Sequence, residues 1–333
     1  MKNGVPKLFL EVAKVYTDAN PEFIENFRRK GYEVRTFHQI EDHPSLDELD
    51  ELMRDVDICV TCTENITSRM MDMSDQLKLI TVFGAGFNNV DIEAATQRGI
   101  YVTNARGGNA IAVGEFSISL MVSLARLTHR SDAGMKQGIW TPGLGCELYG
   151  KTLGIMGLGA IGMETARIAH GGFNMKILAC DVFENPLAKE RYGVTYVSKE
   201  ELFEQADFIS VHTPLMDSTR GLLNWDLMSR MKQSAYLVNV SRGGIMDEDA
   251  LLRLIEEGRI AGAALDVYSE EPYTQNAFAK FDNVITTSHI AASSIESVFR
   301  ISNILTDNIE DVLQGKPPRS NILNPQVVPR LVK

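Results

Sequence analysis

Residues 286–294, TTSHIAASS, place a histidine between the end of a predicted strand and a run of small residues typical of a helix start. Imidazole can donate and accept a proton near neutral pH, so His289 is a candidate general acid/base. The sequence contains six histidines, however, and a packed or solvated role is the alternative for each of them. Whether His289 is a catalytic or a structural residue therefore has to be inferred from the motifs elsewhere in the chain.

A second group of residues suited to chemistry is the motif G-x-G-x-x-G at Gly157, Gly159 and Gly162. An apolar strand precedes it, an amphipathic helix follows, and Asp181 ends the next strand about 20 residues later. The first glycine permits a tight turn, the second lets a pyrophosphate approach the backbone, and the third lets helix and strand pack closely. This context favours a dinucleotide site over an ordinary glycine turn, which is the alternative.

Asp181 indicates which dinucleotide binds. Its carboxylate can accept hydrogen bonds from the adenosine ribose hydroxyls and would repel a 2′-phosphate. The following residues, VFENP, contain no arginine or lysine to offset that repulsion. We therefore predict NAD as the cofactor, with NADP less favoured.

The elements that must position these residues alternate between apolar strands and helical patterns, as in parallel βα units. The first series has strands in KLFLEV, EVRTF, DICVTC, LKLITVFG and IYVTN; the second, from residue 152, has TLGIMG, MKILACD, DFISVHTP, AYLVNVS, IAGAALDVY and NVITTSH. Between the series lie a long apolar helix at about 109–129 and a loop rich in glycine and proline. The predicted class is α/β, and 333 residues suggest two domains.

Composition excludes several classes of function. The net charge of −11 offers no basic surface to nucleic acid or to an anionic membrane. No apolar run reaches membrane-spanning length, and the N-terminal residues are typical of a first strand, so we expect a cytoplasmic protein. Four cysteines are too few for a disulfide scaffold; Cys59 and Cys62 should lie on opposite faces of a strand as buried thiols.

The glycine motif is preceded by GIWTPGLGCELYGKTLGIMG and followed by HTPLMDSTRGLLN, LVNVSRGGIMDEDAL, ALDVYSEEP and SHIAASS. With these segments in this order, the chain resembles the D-isomer-specific 2-hydroxyacid dehydrogenase family over nearly its whole length. The resemblance implies two doubly wound parallel-sheet domains: a flavodoxin-like substrate-binding domain at 1–105 and 295–333, and an inserted Rossmann NAD-binding domain at 106–294. It also implies an active site in the cleft between them.

Carried over by position, the family's catalytic residues fall on Arg242, Glu271 and His289. The implied reaction is hydride transfer between NAD(H) and a small 2-oxo or 2-hydroxy acid. Arg242 would bind the substrate carboxylate and polarise its carbonyl group, and His289 would exchange a proton with the carbonyl oxygen. Glu271 would fix the tautomer of His289 and favour its protonated form, so reduction should be favoured at neutral to mildly acidic pH. Taken singly, Arg242 could cap a helix and Glu271 could lie in an exposed turn.

The resemblance also implies the residues that contact the cofactor and the substrate. Ala85 and Gly86, in FGAGFNNVD, would present backbone N–H groups to the substrate carboxylate beside Arg242 and His289, although an ordinary loop is the alternative. Asn88 and Ser288 depart from the family's frequent Asp and Pro. We assign no metal ligands. The implied cofactor contacts are Gly157, Gly159, Ala160, Ile161, Gly162, Asp181, Thr213, Pro214, Val240, Ser241, Arg242, Asp266, His289, Ala291 and Ala292.

The stretch after the third strand, VTCTENITSRMMD, bears on the substrate. The phosphoglycerate dehydrogenases of the family commonly carry arginines where this chain has Thr61 and Thr63, and Glu64 would oppose a phosphate group. We therefore expect a small uncharged tail, as in glyoxylate, hydroxypyruvate or a short 2-oxo acid. Phosphoglycerate dehydrogenase activity and an NAD-sensing corepressor role on the same fold are the alternatives.

The remaining expectations concern assembly and the other histidines. The family usually forms homodimers, and Phe116, Leu120, Met121 and Leu124 of the apolar helix could supply part of the interface, with burial in the core of one subunit as the alternative. His212 matches a family position and is expected to be structural or close to the cofactor. The histidines that match no catalytic motif are His38, His43, His129 and His170.

Overall fold

A computed structural model describes residues 5–38, 45–140 and 142–330. The chain divides into two compact units, Met1–Asn109 with Ser293–Lys333, and Ala110–Ala292. The boundaries expected from the resemblance, after residues 105 and 294, differ from these divisions by a few residues. The first unit is therefore formed by both ends of the chain, and the second is one continuous segment.

The first unit contains a five-stranded sheet whose order is β2-β1-β3-β4-β5, with all neighbouring strands parallel. This order is that of flavodoxin-like folds, as predicted. Helices cover the sheet because parallel strands need crossover connections. Its strands are β1 Lys7–Glu11, β2 Glu33–Phe37, β3 Ile58–Thr61, β4 Leu79–Val82 and β5 Tyr101–Asn104, and its helices are Lys14–Ala19, Glu22–Arg29, Leu46–Met53, Ser68–Met71, Ile92–Arg98 and Ile295–Leu313.

The second unit contains a seven-stranded parallel sheet of order β12-β11-β10-β9-β6-β7-β8. The six strands predicted from residue 152 onward are all present; the short β8, with two residues, was not predicted. Its strands are β6 Thr152–Met156, β7 Lys176–Cys180, β8 Thr195–Tyr196, β9 Phe208–Val211, β10 Tyr236–Asn239, β11 Gly262–Leu265 and β12 Val284–Thr286, and its helices are Ala110–Arg126, Thr128–Lys136, Ala160–Phe173, Pro186–Tyr192, Lys199–Gln205, Trp225–Met228 and Glu248–Glu256.

Local sequence signals set many of the element ends. Ser45 and Ser198 each cap a helix through a reciprocal capping box with the glutamate three residues later. Helix Ile92–Arg98 ends at Gly99, whose φ of 73° is left-handed, a conformation that glycine adopts without strain. These caps satisfy backbone groups that the helix ends would otherwise leave without partners.

Each sheet has an apolar core on both faces. Along β3, for example, Ile58 and Val60 pack into one cluster, and Cys59 packs into the cluster on the opposite face. Cys62 lies against the first of these clusters, so the expected separation of the two thiols is confirmed. Burial of Cys59 raises the pKa of its thiol and leaves it unreactive.

The long apolar helix Ala110–Arg126 packs inside its own unit. Leu120, Met121 and Leu124 are at most 5 % exposed, and Phe116 is half-buried against the same core. For the three buried residues the structure therefore shows burial in the core of one subunit, which the sequence left open as the alternative to a subunit interface. Helix Ala110–Arg126 also approaches helix Ala160–Phe173 closely. That approach leaves only 2.9 Å between a Cβ placed on Gly114 and the Cβ of Glu164.

The structure also bears on membrane insertion. Within the described residues, no single helix has the length and apolar character to cross a bilayer, although Ala110–Arg126 and Thr128–Lys136, bent by 68°, pass that test together.

Candidate active site

His289 and Glu271 form a directly bonded pair in the second unit. His289 Nδ1 lies 2.7 Å from Glu271 Oε2, and the side chains are 42 % and 35 % exposed. The backbone N–H of Tyr268 donates to the other carboxylate oxygen, Oε1, at 2.9 Å. The sequence placed this pair only through the family resemblance, because eighteen residues separate the two side chains.

Several interactions keep Glu271 ionised. Its partial burial acts to raise the pKa of the carboxyl group, since burial penalises the charged form. The hydrogen bond and charge of His289, the N–H of Tyr268 and the charge of Arg242 outweigh that effect and hold the pKa below its ordinary value. Glu271 is therefore a carboxylate throughout the neutral range and can hold the imidazole in one orientation.

Asp266 fixes the backbone that carries His289. This carboxylate, which is fully buried, accepts hydrogen bonds from the N–H groups of Ile290 and Ala291, both at 2.9 Å, and from the hydroxyl of Thr287 at 2.6 Å. The N–H of His289 donates to the Asp266 carbonyl oxygen at 2.9 Å. His289 has a φ of 54°, a conformation that non-glycine residues seldom adopt, and these bonds maintain it.

Arg242 follows β10 and reaches the neighbourhood of Glu271 because two backbones approach closely. A Cβ on Gly243 would lie 1.8 Å from the carbonyl carbon of Tyr268, so only glycine fits there. The Arg242 guanidinium donates to the carbonyl oxygen of Ser241 at 2.7 Å. Gly243 was not predicted from the sequence; the glycine pair directly after Arg242 was the available signal.

The glycine motif has the geometry that its sequence predicted. Gly157 has a φ of 89°, and a Cβ there would lie 2.8 Å from the backbone nitrogen of Thr213. A Cβ on Gly162 would lie 2.3 Å from the carbonyl oxygen of Gly157, which is the close contact between helix and turn. Gly159, at the start of helix Ala160–Phe173, has no atom within 4 Å of a Cβ position. The turn therefore leaves open the one side on which a pyrophosphate could approach the helix N-terminus.

Asp181 lies beside this turn. Its Oδ2 accepts a hydrogen bond from the N–H of Leu158 at 2.6 Å, and its Oδ1 accepts one from Phe183 at 3.2 Å. The side chains of Val182 and Phe183 are 89 % and 81 % exposed. The carboxylate is thus anchored next to the exposed surface where an adenosine ribose would have to lie.

His212 packs against the glycine turn. Its Nε2 lies 2.9 Å from Ser210 Oγ and 3.2 Å from Thr165 Oγ1, and its backbone carbonyl group abuts Gly157. Within the described residues its Nδ1 has no hydrogen-bond partner. Burial lowers the pKa of His212 to about 3, so the ring is neutral at physiological pH. This environment rules out a solvent-exposed acid/base role for His212.

The other implied cofactor residues lie along the carboxyl ends of the same sheet. Ser241 Oγ donates to the carbonyl oxygen of Thr213, which joins the ends of β9 and β10. Ala160 is exposed at the start of its helix, Ile161 is half-buried, and Val240 and Ala291 are buried. Ala292 is also half-buried, whereas Pro214 is exposed.

The remaining histidines have other surroundings. His38 Nδ1 lies 2.8 Å from the carbonyl oxygen of Val12, and His129 bonds two carbonyl oxygens. His170 lies against the Tyr192 ring. A packed or solvated role was expected for each of them, and these three are half-buried with the contacts given above. His43 lies outside the described residues.

Ala85 and Gly86 belong to the first unit, in the loop after β4. Both are half-buried, and within the described chain their N–H groups donate to no acceptor. The side-chain amide of Asn104, itself buried, donates to the carbonyl oxygen of Ala85 at 2.6 Å and so fixes the direction of the loop. Asn104 was not predicted, because nothing in the sequence ties it to a loop nineteen residues away.

Residues 118–291 match the model of the "D-isomer specific 2-hydroxyacid dehydrogenase, NAD binding domain". The match spans more than half of the chain and covers the glycine motif, Arg242, Glu271 and His289. The chain belongs to this family. The predicted dinucleotide-binding domain, its NAD cofactor and the two-sheet α/β class are thereby confirmed.

Curated relatives and solved structures agree with this assignment. The chain is 35% identical over 293 residues to a glyoxylate reductase of Korarchaeum cryptofilum, covering 86% of this chain and 88% of the relative. It is 38% identical over 278 residues to a D-3-phosphoglycerate dehydrogenase of Synechocystis, covering 83% of this chain and 50% of that protein. The chain thus spans about half the length of the D-3-phosphoglycerate dehydrogenases it matches.

A solved structure extends the likeness to both units. The D-lactate dehydrogenase of Aquifex aeolicus, complexed with NAD and lactic acid, superposes with a TM-score of 0.83 at 26% identity over 96% of this chain and 99% of that one. The family fold therefore includes the first unit as well as the residues matched by the NAD-binding domain model.

Proposed function

We propose that this family member is an NAD-dependent oxidoreductase that interconverts a small 2-oxo acid and the corresponding 2-hydroxy acid. The observation that carries the proposal is the His289–Glu271 pair, bonded at 2.7 Å in the unit that matches the NAD-binding domain model. When bound, NADH supplies a hydride, and reduction of a carbonyl group then also requires a proton. A histidine with a fixed tautomer is suited to deliver it.

Each residue of the candidate site has a distinct role in this proposal. Arg242 binds the substrate carboxylate and polarises the adjacent carbonyl group. Glu271 accepts the Nδ1 proton of His289, which leaves Nε2 to exchange a proton with the substrate oxygen. Ala85 and Gly86 offer their N–H groups to the carboxylate of the same substrate.

The proposal favours NAD over NADP. The Asp181 carboxylate is fixed by the N–H of Leu158 and would repel a 2′-phosphate. The Asp181 carboxylate lies beside an exposed surface, where it could accept hydrogen bonds from the hydroxyls of the adenosine ribose of NAD.

The proposed substrates have a short, uncharged tail, as in glyoxylate and hydroxypyruvate. Thr61 is buried, and its hydroxyl bonds to the carboxylate of Glu11 and to the carbonyl oxygen of Glu64. Thr63 is exposed but neutral. Glu64 is half-buried, and burial chiefly raises the pKa of its carboxyl group. The loop after β3 therefore contributes no cation that could bind a phosphate group.

A steady-state assay with NADH and a panel of 2-oxo acids tests the proposal. We expect turnover of glyoxylate or hydroxypyruvate that the substitution His289→Ala reduces by at least about a hundredfold. Negligible turnover across the panel with intact NADH binding would instead support an NAD-sensing, corepressor-type role.

Phosphoglycerate dehydrogenase is a second candidate because several relatives at 38% identity carry that name. A kcat/KM for 3-phosphohydroxypyruvate well above that for hydroxypyruvate would support it. The absence of a described cation on the loop at 61–64 favours the unphosphorylated substrate.

We also propose a homodimer and a cytosolic location. Large apolar side chains are exposed in the segment 135–149, with Trp140 at 81 % and Leu144 at 98 %, and a second copy could cover them. The four cysteines are free thiols, which is in keeping with a reducing compartment. Light scattering should give twice the chain mass of 37.0 kDa, and Trp140→Glu with Leu144→Glu should halve it.

A further inference from the structure

The strand order of the first unit creates a place suited to anion binding. In the order β2-β1-β3-β4-β5, the chain runs from β1 to β2 on one side and returns to β3 on the other. The carboxyl ends of β1 and β3 therefore diverge at a topological switch point, where open α/β sheets usually bind their ligands. Glu11 ends β1, and Thr61 ends β3.

The side chain of Glu11 fills this switch point. It is 1 % exposed, and its Oε2 accepts hydrogen bonds from the N–H groups of Cys62, Thr63 and Glu64 at 2.6, 3.0 and 3.1 Å. The hydroxyl of Thr61 adds a fourth bond at 3.1 Å. Three successive N–H groups converging on one oxygen form an anion-binding turn, and a carboxylate of the protein itself occupies it.

No cation of the described part of the chain cancels the charge of Glu11. Among the described residues, no lysine or arginine forms an ion pair with it. Glu64 adds a second carboxyl group to the same loop, and the charge of Glu11 contributes to raising the pKa of Glu64, after the larger effect of burial. The backbone N–H groups of this loop would by themselves attract an anion, but the two carboxyl groups make the electrostatic potential there negative.

This loop is joined to the one that carries Ala85 and Gly86. The N–H of Phe83 donates to the carbonyl oxygen of Thr61 at 2.7 Å, and the side-chain amide of Asn89 donates to the carbonyl oxygen of Glu64 at 2.8 Å. A substrate whose carboxylate bound at Ala85 and Gly86 would therefore have the loop at 61–64 as a neighbour. The charge that Glu11 places there acts on the rest of that substrate.

We infer that Glu11 is a specificity-determining residue that excludes a second anionic group, phosphate or carboxylate, from the substrate. Its carboxylate takes the N–H groups that such a group would need and repels it electrostatically. The substrate class is thus a 2-oxo acid with a single negative charge. The effect of Glu11 on which substrate is reduced rests on the proposed function. Its exclusion of anions from the turn at 62–64 does not.

The substitution Glu11→Gln tests this inference. The amide oxygen can still accept the three N–H bonds, so the loop keeps its shape while the charge is lost. We expect the kcat/KM ratio of 3-phosphohydroxypyruvate to hydroxypyruvate to rise about tenfold or more. The ratio of 2-oxoglutarate to 2-oxobutyrate should rise in the same direction. Glu33→Gln, on an exposed glutamate of β2, should change neither ratio.

Anion binding measured without turnover separates the two proposals. Inorganic phosphate should raise the Tm of Glu11→Gln more than that of the wild type or of Glu33→Gln. If no 2-oxo acid is reduced but this difference is present, the proposed function fails and the role of Glu11 stands. If the wild type is active and neither the ratios nor the phosphate response change, the inference about Glu11 is overturned.

A second variant covers the case in which Glu11→Gln does not fold. Thr63 is exposed, and its hydroxyl lies 3.4 Å from Glu11 Oε1, so Thr63→Lys sets an ammonium group beside the intact carboxylate. The same rise in both ratios and in the phosphate response is expected. An unchanged phosphate response in a folded Thr63→Lys protein would contradict the inference.

Discussion

His289 Nδ1 and Glu271 Oε2 lie 2.7 Å apart, and the second oxygen of that carboxylate is held by the N–H of Tyr268. Both ends of the interaction are therefore fixed: the carboxylate by the backbone and the imidazole by the carboxylate. The arrangement commits Nδ1 to a structural bond and leaves Nε2 as the ring atom available for proton exchange.

Glu271→Gln should lower kcat for reduction of a 2-oxo acid by about a hundredfold, because the amide cannot stabilise the protonated imidazole. The dissociation constant of NADH should stay within about twofold of the wild type. Glu270→Gln, at the neighbouring exposed glutamate, is the matched control and should retain full activity. Steady-state kinetics measure kcat, and stopped-flow measurements give the dissociation constant of NADH. An equal loss of kcat in both variants would contradict the assignment of Glu271.

Gly243→Ala should destabilise the second unit by about 3 kcal/mol or more, because the added methyl group would meet the backbone of Tyr268 at 1.8 Å. Gly244→Ala is the control, since its new methyl group would first meet the flexible side chain of Leu215 at 3.3 Å. Urea unfolding measures both variants. Similar midpoints for the two would show that the close approach to Tyr268 is not required.

The glycines of the nucleotide turn should separate into two classes. Gly162→Ala should lower the free energy of unfolding, because its methyl group would meet the carbonyl oxygen of Gly157 at 2.3 Å. Gly159→Ala, with open space around it, should fold normally and weaken NADH binding about tenfold. Calorimetric titration measures the binding. Gly172→Ala, late in the same helix, should leave NADH affinity unchanged, and a Gly159→Ala protein that binds normally would argue against the proposed pyrophosphate position.

The low pKa of His212 should make stability depend on pH. Its pKa falls from 6.5 to about 3 in the folded protein, so between these values the unfolded chain binds a proton that the native state does not. The free energy of unfolding should therefore fall by about 1.4 kcal/mol per pH unit as pH decreases below 6.5. His212→Gln should remove that contribution, whereas His170→Gln should retain it. Urea titrations at several pH values compare the slopes.

Asp181→Asn should raise the ratio of kcat/KM with NADPH to that with NADH by about tenfold. The amide oxygen can still accept the hydrogen bond from Leu158, so the change isolates the negative charge that opposes a 2′-phosphate. Steady-state kinetics with both cofactors give the ratio. If the ratio stays the same while the protein remains folded, the charge of Asp181 does not set cofactor preference.

Local signals in the sequence were sufficient for every described strand except the short β8, and for the glycine turn. The pairing of Glu271 with His289 required the family resemblance, since no periodicity links residues on different loops. Asp266, expected only as a cofactor contact, proved to organise the backbone on both sides of His289, because buried carboxylates find partners through tertiary structure.

The helix Ala110–Arg126 shows why the sequence left both a subunit interface and core burial open for its apolar residues. An apolar stripe along a helix indicates that this face of the helix is buried. The sequence does not show whether residues of the same chain or of a second chain bury it. Here Met121 and Leu124 face the sheet and helices of their own unit. The exposed apolar residues Trp140 and Leu144 lie in the loop that follows, where no helical period marks them.

The first unit is completed by helix Ile295–Leu313, whose Val298, Ile301 and Leu305 share an apolar cluster with β1, β3 and β4. The second unit, Ala110–Ala292, is a continuous segment. During synthesis the ribosome therefore delivers the whole nucleotide-binding segment before the N-terminal strands receive the helix that covers them. Until that helix is synthesised, part of the apolar surface of the N-terminal sheet stays exposed to solvent. A chaperone that binds apolar surface would therefore act on residues 1–109 of the nascent chain.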